Sequence, residues 1–350
     1  MSIPDTWYDE HNISCWLNTQ VKDIELESRK VILGMEETLE YDRLILAMGS
    51  SSFTPPIEGF GVKGTYTLRE ADDAMQIRDF VQRHKSYHAV IAGGGLLGIE
   101  AGYALHKLGL NVSVLERGQW PLQRQLDFRG GQFLKNYLEG LGMDILLKAE
   151  TASIQTDSTG TLKEVILKDA RKVPCDVFLL CAGIKPNIDL AEKAGIQVNR
   201  GVVVNNRLQT SVEGIYAIGD VAEYEGQIYG LWPIAVEQAE TAAINALGGQ
   251  QNYTPSPPST ILKVVGADVT SVGQIEPQSA DEMVIVLEDT ESHKYRKLVI
   301  SQGKIVGTIL IGYPIEAPLV TKAIKEGKNI VAVLEDLKKG NWQELSKILD

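Results

Sequence analysis

Residues 88–100, which read HAVIAGGGLLGIE, form the most informative pattern of this chain. The first five residues are a short apolar run typical of a buried parallel strand, and helical spacing begins after the glycines. The helix is expected to end at Gly109, and a second apolar run at 111–115 leads to Glu116. The stretch therefore predicts a strand–helix–strand unit with a glycine-rich first turn.

The three spaced glycines of this turn are expected to have separate roles. Gly93 permits the tight turn, Gly95 lets a pyrophosphate approach the backbone, and Gly98 lets the helix pack closely on the strand. Leu96 and Leu97, within this turn, are also expected to contact NAD, and the helix that begins at Ile99 offers free N–H groups at the positive end of its dipole, where phosphates bind. Because strand, turn and helix coincide, the pattern favours a dinucleotide site over a turn without a ligand.

An acidic residue after the second strand bears on the choice of nucleotide. Glu116 lies about 20 residues beyond the turn, where a carboxylate can accept hydrogen bonds from both ribose hydroxyls of adenosine. The same charge would repel a 2′-phosphate, so NADH is favoured over NADPH. The neighbouring Arg117 weakens that preference.

A second match to the glycine spacing occurs at 59–64, GFGVKG. It follows Pro55 and Pro56 instead of a strand, and the residues after it begin no helical pattern. This context predicts a loop that binds no nucleotide.

The size, charge and cysteine content of the chain restrict its class. Its 350 residues suit two or three domains, and its formal net charge of −12 argues against nucleic acid as a partner. No run of about 18 apolar residues occurs, so no membrane span is expected. Residues 1–8 are polar and unlike a signal peptide, and the three cysteines form no C-x-x-C pair, so a cytoplasmic location is expected.

Four short strings carry a family resemblance. They read YDRLILAMGS at 41–50, IAGGGLLGIE at 91–100, CAGIKPN at 181–187 and GIYAIGDVA at 214–222. In order and spacing they resemble the FAD-dependent pyridine nucleotide-disulfide oxidoreductases. In the last third of the chain, residues 262–264, Gly266 and residues 271–273 look most like rubredoxin reductases and the N-terminal flavin part of nitrite reductase large subunits.

The resemblance implies an α/β fold with two doubly wound Rossmann-like domains, one for FAD and one for NAD, plus a C-terminal α+β interface domain. The FAD-binding domain would be discontinuous, at 1–85 and 206–253, with the NAD-binding domain inserted at 86–205. A proline-rich linker at 254–258 then introduces the interface domain at 254–350, where strand patterns, including one at 261–265, precede helical ones.

The resemblance also implies cofactor-binding roles. Near NAD, Glu100 would lie beside the nicotinamide carboxamide, and Gly183 would belong to a second glycine turn. A first-turn acid stabilised by the helix dipole is the alternative interpretation of Glu100. The residues implied for FAD are Ala47, Gly49, Arg69, Gly219, Asp220, Trp232 and Pro233.

Among the implied FAD residues, Asp220 would bond the ribityl chain, Arg69 would lie near the phosphates, and Trp232 with Pro233 would pack close to the isoalloxazine ring. Each has an alternative interpretation: a turn residue for Asp220, a solvated surface charge for Arg69 and a core or interface aromatic for Trp232. No catalytic residue is assigned, and the five histidines show no spacing typical of a metal site.

The chain departs from the family pattern in two respects. No strand–GxGxxG–helix segment for FAD precedes Gly93, so the N-terminal part of the FAD domain is expected to be missing, which would expose a sheet edge. Either the sequence is truncated or another chain supplies that segment. The absence of a redox-active cysteine pair excludes the disulfide-reductase branch, and Cys175 and Cys181 are expected to be small buried apolar residues.

The expected function is that of an NADH-dependent flavoprotein oxidoreductase. It would pass a hydride from NADH to FAD and electrons on to a carrier or small acceptor, in the manner of rubredoxin reductase or nitrite reductase. The alternative is a non-catalytic NAD-binding sensor or scaffold subunit that has lost flavin. Expected partners are an electron acceptor and, to complete the FAD site, a second copy or a partner chain.

Overall fold

The computed structural model describes residues 4–34, 37–257, 259–262 and 267–349. Lys263, Val264 and Gly266, which contributed to the subfamily resemblance, and most of the strand predicted at 261–265 lie outside those residues. The chain divides into two compact units. Unit 1 comprises Met1–Ser51 and Lys185–Pro255, and unit 2 comprises Ser52–Ile184 and Ser256–Asp350.

The helices and strands of the first half of the chain are α1 Asp5–Glu10, β1 Val21–Glu25, β2 Lys30–Leu33, β3 Thr38–Glu40, β4 Leu44–Leu46, β5 Ser50–Ser52, β6 Thr65–Thr67, α2 Ala71–His84, β7 His88–Ala92, α3 Leu96–Lys107, β8 Asn111–Glu116, α4 Phe128–Gly140, β9 Asp144–Leu147, β10 Thr151–Thr156, β11 Leu162–Leu167, β12 Lys172–Pro174 and β13 Val177–Leu180. Those of the second half are β14 Ile184–Pro186, α5 Asp189–Lys193, β15 Val202–Val204, β16 Ile215–Ala217, β17 Ala222–Tyr224, α6 Trp232–Ala246, β18 Ser259–Leu262, β19 Val269–Gly273, β20 Met283–Asp289, β21 Lys294–Ser301, β22 Lys304–Ile311, α7 Ala317–Lys325 and α8 Leu334–Lys338, with 3₁₀ turns at Gly219–Val221, Val331–Val333 and Trp342–Ile348.

Unit 2 contains a parallel sheet with the strand order β6-β13-β7-β8-β9. Its central strands β7 and β13 are buried on both faces, which explains their continuous apolar sequences. Helix α3 follows β7, and its Gly102 lies against the side chains of Ile91 and Val112. The predicted strand–helix–strand unit at 88–116 is confirmed.

The C-terminal part of unit 2 is an antiparallel sheet with the order β18-β19-β22-β21-β20. One core covers this sheet with α7, α8 and the last 3₁₀ turn, and includes Leu298, Leu310 and Val320. On the other side, Tyr295 and Ile309 share a core with α3 and α4. The two sheets of unit 2 therefore pack through a common apolar cluster.

The second glycine match, at 59–64, forms turns between isolated bridges, so the predicted loop is confirmed. Gly59 and Gly64 are explained by close packing, and Gly61 by its φ of 103°. A Cβ on Gly59 would lie 2.5 Å from the carbonyl oxygen of Ile154, and one on Gly64 would lie 2.9 Å from that of Asp176.

Unit 1 contains shorter pieces of sheet around a single core. Strands β1, β2 and β3 form an antiparallel sheet, while β4 pairs with β16 and β15 pairs with β17, both in parallel. The core includes Ile24, Leu46, Leu208, Ile215 and Ala242. Within the described residues, β4 is hydrogen bonded to one strand only, and Ile45 on it is exposed.

The α/β fold with Rossmann-like FAD- and NAD(P)-binding domains and a C-terminal domain is confirmed. The compact units nevertheless differ from the predicted boundaries. Residues 52–85 belong with unit 2, because β6 pairs with β13, and residues 185–205 belong with unit 1. The division into three domains stays a prediction. In the part of the chain that the structure describes, no helix has both the length and the apolar character needed to cross a bilayer.

Candidate nucleotide and flavin sites

The turn between β7 and α3 has a backbone that excludes side chains at two glycines. Gly93 has φ of 132°, and a Cβ there would lie 2.2 Å from the carbonyl oxygen of Cys181 on the neighbouring chain segment. A Cβ on Gly98 would lie 1.9 Å from the carbonyl oxygen of Gly93. These two glycines are therefore required by the fold itself, whatever the turn binds.

Gly95 differs, because a Cβ there would meet no atom within 4 Å. Its φ of −81° is open to any residue, so neither backbone nor packing requires a glycine. The first helical hydrogen bond of α3 runs from the Ile99 N–H to the Gly95 carbonyl, so the N–H groups of Leu96 and Leu97 lie at the open end of the helix. Open space beside a helix N-terminus fits a pyrophosphate.

The Glu116 carboxylate lies directly against this turn. The Gly94 N–H donates to Glu116 Oε2 at 3.0 Å, and the Gly118 N–H donates to Glu116 Oε1 at 2.6 Å. Both carboxylate oxygens are thereby fixed at the end of β8, and the side chain is only half-buried. The acid proposed for the ribose thus lies next to the turn, Gly93 to Gly98, that is proposed for NAD.

The two other proposed NAD residues lie on either side of the turn. Gly183 follows β13, the strand beside β7, with φ of 103° and open space around its Cα, and its carbonyl accepts from the Phe53 N–H at 2.9 Å. Glu100 is exposed on the second turn of α3. Their roles toward nicotinamide stay predictions.

In unit 1, two turns that follow parallel strands are joined by a side-chain hydrogen bond. The Ser50 hydroxyl, after the β4 turn at Gly49, donates to Asp220 Oδ2 at 2.7 Å. Ser50 is 7% exposed, so this bond is shielded from water and holds the Asp220 side chain in one orientation. Ala47 and Gly49 at the end of β4 thus lie beside Gly219 and Asp220 at the end of β16.

Helix α6 supports the turn at Gly219 and Asp220 through a buried side chain. Its Gln238 is 1% exposed, and its side-chain oxygen accepts from the Gly219 N–H at 2.7 Å. One buried face of α6 carries three polar side chains, those of Gln238, Thr241 and Asn245. The side-chain amide of Asn245 donates hydrogen bonds to the backbone carbonyls of Arg207 and Gln251.

The remaining proposed FAD residues are exposed. Trp232 and Pro233 begin α6, and Trp232 is 82% exposed. Arg69 lies in unit 2 between β6 and α2, where its backbone N–H donates to the Asp73 carboxylate. An exposed row on α6, made of Trp232, Val236 and Ile244, leads to Leu247.

Two features of the site had no clear sequence signal. Ser50 is a small residue after a turn, and Gln238 is a single polar residue within an apolar helix, so neither pattern identifies its partner. The inward spacing of Gln238, Thr241 and Asn245 is the one signal that could have indicated a buried polar row.

The cysteines and the acidic residues suggest no further centre. Cys175 is buried as predicted, whereas Cys181 is only partly buried and Cys15 is exposed. Burial raises the pKa of the Cys175 thiol and raises that of Cys181 to about 12, so both stay protonated. Among the described residues, no cluster of three or more histidine, cysteine or acidic side chains could hold a metal ion.

A parallel sheet with a glycine turn, a helix N-terminus and an acid at the next strand defines a dinucleotide-binding protein of the Rossmann-like class. The chain belongs to the pyridine nucleotide-disulphide oxidoreductase family, whose model matches residues 6–239. The family is one of FAD-dependent NAD(P)H oxidoreductases. Residues 258–328 match the rubredoxin NAD+ reductase C-terminal domain.

Several known proteins are similar to this chain. The assimilatory nitrate reductase electron transfer subunit of Bacillus subtilis is 37% identical over 309 residues, which cover 87% of this chain and 39% of that protein. The NADH-rubredoxin oxidoreductase of Clostridium acetobutylicum is 32% identical over 323 residues, 92% of this chain and 79% of that protein. The crystal structure of an NADH:rubredoxin oxidoreductase from the same organism has a TM-score of 0.72 at 31% identity, covering 95% of this chain and 84% of that one.

This chain spans less than half the length of two of these relatives. This chain spans 39% of the first relative and 38% of the nitrite reductase [NAD(P)H] of Bacillus subtilis, which is 37% identical to it. A structure of a NAD-dependent persulfide reductase from A. fulgidus, with a TM-score of 0.84 at 24% identity over 95% of this chain and 66% of that one, shares the fold.

Proposed function

We propose that this chain carries the NADH- and FAD-binding part of an oxidoreductase that passes a hydride from NADH to FAD and electrons on to a carrier protein or a small acceptor. The observation that carries the proposal is the turn at 93–98. There, open space at Gly95 adjoins the N-terminus of α3 and the fixed carboxylate of Glu116.

At this turn the chain would bind NADH through its backbone and one acid. The Leu96 and Leu97 N–H groups would donate to the pyrophosphate, and Glu116 would accept from the ribose hydroxyls of adenosine. Since both Glu116 oxygens already accept backbone hydrogen bonds, the carboxylate is held in place before the nucleotide arrives. A 2′-phosphate would meet this charge, which supports NADH over NADPH.

For FAD, the residues that fit lie at the ends of β4 and β16. Asp220, oriented by Ser50, would accept hydrogen bonds from the ribityl hydroxyls, and Gln238 fixes the adjoining Gly219 peptide. FAD, when bound, accepts two electrons as hydride and can release them singly. Trp232 and Pro233 would shield the ring from water.

The acceptor is proposed to be a small electron carrier such as rubredoxin. This follows the NADH-rubredoxin oxidoreductase, of which this chain covers 79%, and the match of residues 258–328 to the corresponding C-terminal domain. An acceptor within a longer assembly, as the name of the nitrate reductase electron transfer subunit suggests for that protein, is the other candidate.

The test is the visible absorption spectrum of the purified chain with FAD, before and after anaerobic addition of NADH. We expect flavin bands that bleach with NADH, and weaker flavin retention in Asp220→Asn. A chain that binds NADH but no flavin, alone or co-purified with partners, would contradict the oxidoreductase and favour the NAD-binding sensor. A chain that binds neither would exclude both functions.

A further inference from the structure

We propose that Lys297, on β21, is a positioning residue for NADH binding. It acts through Asp127 on the segment 117–127, which lies against the glycine turn. This role rests on the proposed function, because NADH is taken to be the ligand of that turn. It assigns the C-terminal sheet a part in nucleotide binding, which the glycine motif alone does not suggest.

A charge cluster lies between the start of α4 and the C-terminal sheet of unit 2, with Lys297 and Asp127 buried and Glu276 exposed. Lys297 Nζ donates to Asp127 Oδ2 at 2.8 Å and to Glu276 Oε2 at 2.8 Å, and the Tyr295 hydroxyl donates to the same Asp127 oxygen at 2.6 Å. The side chains of Lys297 and Asp127 are 5% and 8% exposed. A buried ammonium group is held firmly by its acidic partners, because a buried charge that has neither a partner nor water is strongly destabilising.

Asp127 lies at the end of the segment 117–127, where α4 begins. Asp127 is the N-cap of α4, and its Oδ1 accepts from the Gly130 N–H at 2.8 Å. One residue earlier, the Leu126 carbonyl accepts from Trp120 Nε1 at 2.9 Å. The Leu126 N–H in turn donates to the Leu122 carbonyl at 2.8 Å. The segment is therefore folded back on itself and fixed at one end by Lys297.

The segment 117–127 also contacts the glycine turn at 93–98. The Leu122 N–H donates to the Gly94 carbonyl at 3.0 Å, and the Gly118 N–H donates to Glu116 Oε1 at 2.6 Å. The segment thus supports both the Gly94 peptide, which would face the pyrophosphate, and the Glu116 carboxylate, which would face the ribose. If Asp127 loses its cation, the segment loosens and both supports weaken.

The competing explanation is that Lys297 only stabilises the packing of the two sheets. The neighbouring residue on β21, Leu298, provides the matched control. It is fully buried on the opposite face, in the core with α7, and does not belong to the charge cluster. Leu298→Ala weakens the same strand but leaves the contacts between Asp127 and the segment 117–127 intact.

The experiment compares the NADH dissociation constants of full-length wild type, K297M, D127N, the double variant and L298A, with melting temperatures measured in parallel. K297M should weaken NADH binding about fivefold or more, a typical coupling between linked sites. L298A should melt lower but bind as wild type does. The double variant should recover part of the affinity, because Asn retains the N-cap and no buried charge is left unpaired. D127N gives a second measurement if K297M does not fold.

Unchanged affinity in K297M and D127N beside a wild type that binds NADH would overturn this role alone. Equal losses in K297M and L298A would reduce Lys297 to a packing residue and would also overturn it. A wild type that binds no NADH would overturn both this role and the proposed function.

Discussion

At the scale of single residues, the turn at 93–98 separates what the fold requires from what a ligand would require. A Cβ on Gly98 would meet the Gly93 carbonyl at 1.9 Å, whereas a Cβ on Gly95 would meet nothing within 4 Å. Folding alone therefore explains Gly98 and leaves Gly95 without a structural reason. The space above Gly95 is the expected position of the ligand.

This contrast predicts opposite outcomes for two substitutions of the same size. Gly95→Ala should leave the melting temperature close to wild type and weaken NADH binding about tenfold, which corresponds to about 1.4 kcal/mol. Gly98→Ala should destabilise unit 2 by about 1–3 kcal/mol through overpacking. Calorimetric titration with NADH and thermal unfolding would measure the two effects. Normal NADH affinity in Gly95→Ala would show that no nucleotide phosphate lies there.

The cysteines give a second prediction at this scale. Cys15 is exposed, whereas burial raises the pKa of Cys181 to about 12 and also raises that of Cys175. A thiol reagent at pH 8 should therefore modify one cysteine per native chain and three after denaturation. Peptide mapping would identify the site, and Cys15→Ser should abolish the native reaction. Rapid labelling of Cys181 in the native chain would contradict its burial.

At the scale of secondary-structure elements, the pairing of β15 with β17 includes a buried carboxylate. Glu223 is 3% exposed, and it accepts from the Gly201 N–H at 2.8 Å and from Asn199 Nδ2 at 2.8 Å. Burial raises the pKa of the Glu223 carboxyl, but these donors outweigh burial and hold its pKa below the ordinary value of 4.5. The ionised form therefore stabilises the folded state.

The pKa shift of Glu223 determines how stability should depend on pH. Because the folded pKa lies below the unfolded one, the stabilisation is complete above pH 4.5 and is lost as the pH falls through the folded pKa. Glu223→Gln should lower the free energy of unfolding by about 1–3 kcal/mol at pH 7, and this difference should shrink below pH 4.5. Urea unfolding at several pH values would measure it. A difference independent of pH would mean that the charge of Glu223 contributes nothing.

The secondary-structure elements also show which parts of the fold could be predicted from the sequence. Strand β7, helix α3 and strand β8 were predictable because their signals are local: an apolar run, spaced glycines and a terminal acid. The place of β6 beside β13 was not, since three residues of alternating pattern do not specify a partner more than a hundred positions away. For the same reason the bonds of Ser50 to Asp220 and of Lys297 to Asp127 had no sequence signal.

At the scale of the whole molecule, each compact unit has its own apolar core, although both units are discontinuous in sequence. In unit 2, the cluster that includes Ile309 joins the nucleotide-binding sheet to the C-terminal sheet. In unit 1, Leu208 occupies the centre of the core and is fully buried. The two units are therefore expected to differ in which mutations destabilise them.

Truncation of one core residue in each unit tests this division. Ile309→Ala and Leu208→Ala should each cost about 2–5 kcal/mol through lost burial and a residual cavity. Hydrogen exchange followed by mass spectrometry should show faster exchange across both sheets of unit 2 in the first variant and across unit 1 in the second. Acceleration limited to the C-terminal sheet in Ile309→Ala would contradict the joint core of unit 2.

The hydrogen bond between Ser50 and Asp220, whose residues lie 170 positions apart, has a consequence for synthesis on the ribosome. Strand β4 cannot pair with β16 until the strands β6 to β13 of unit 2 have been made. At about 5–20 residues per second, this delay is on the order of ten seconds. Strand β4 must therefore remain without its partner in the nascent chain while residues 52–184 are completed, whereas β1, β2 and β3 can pair with one another at once.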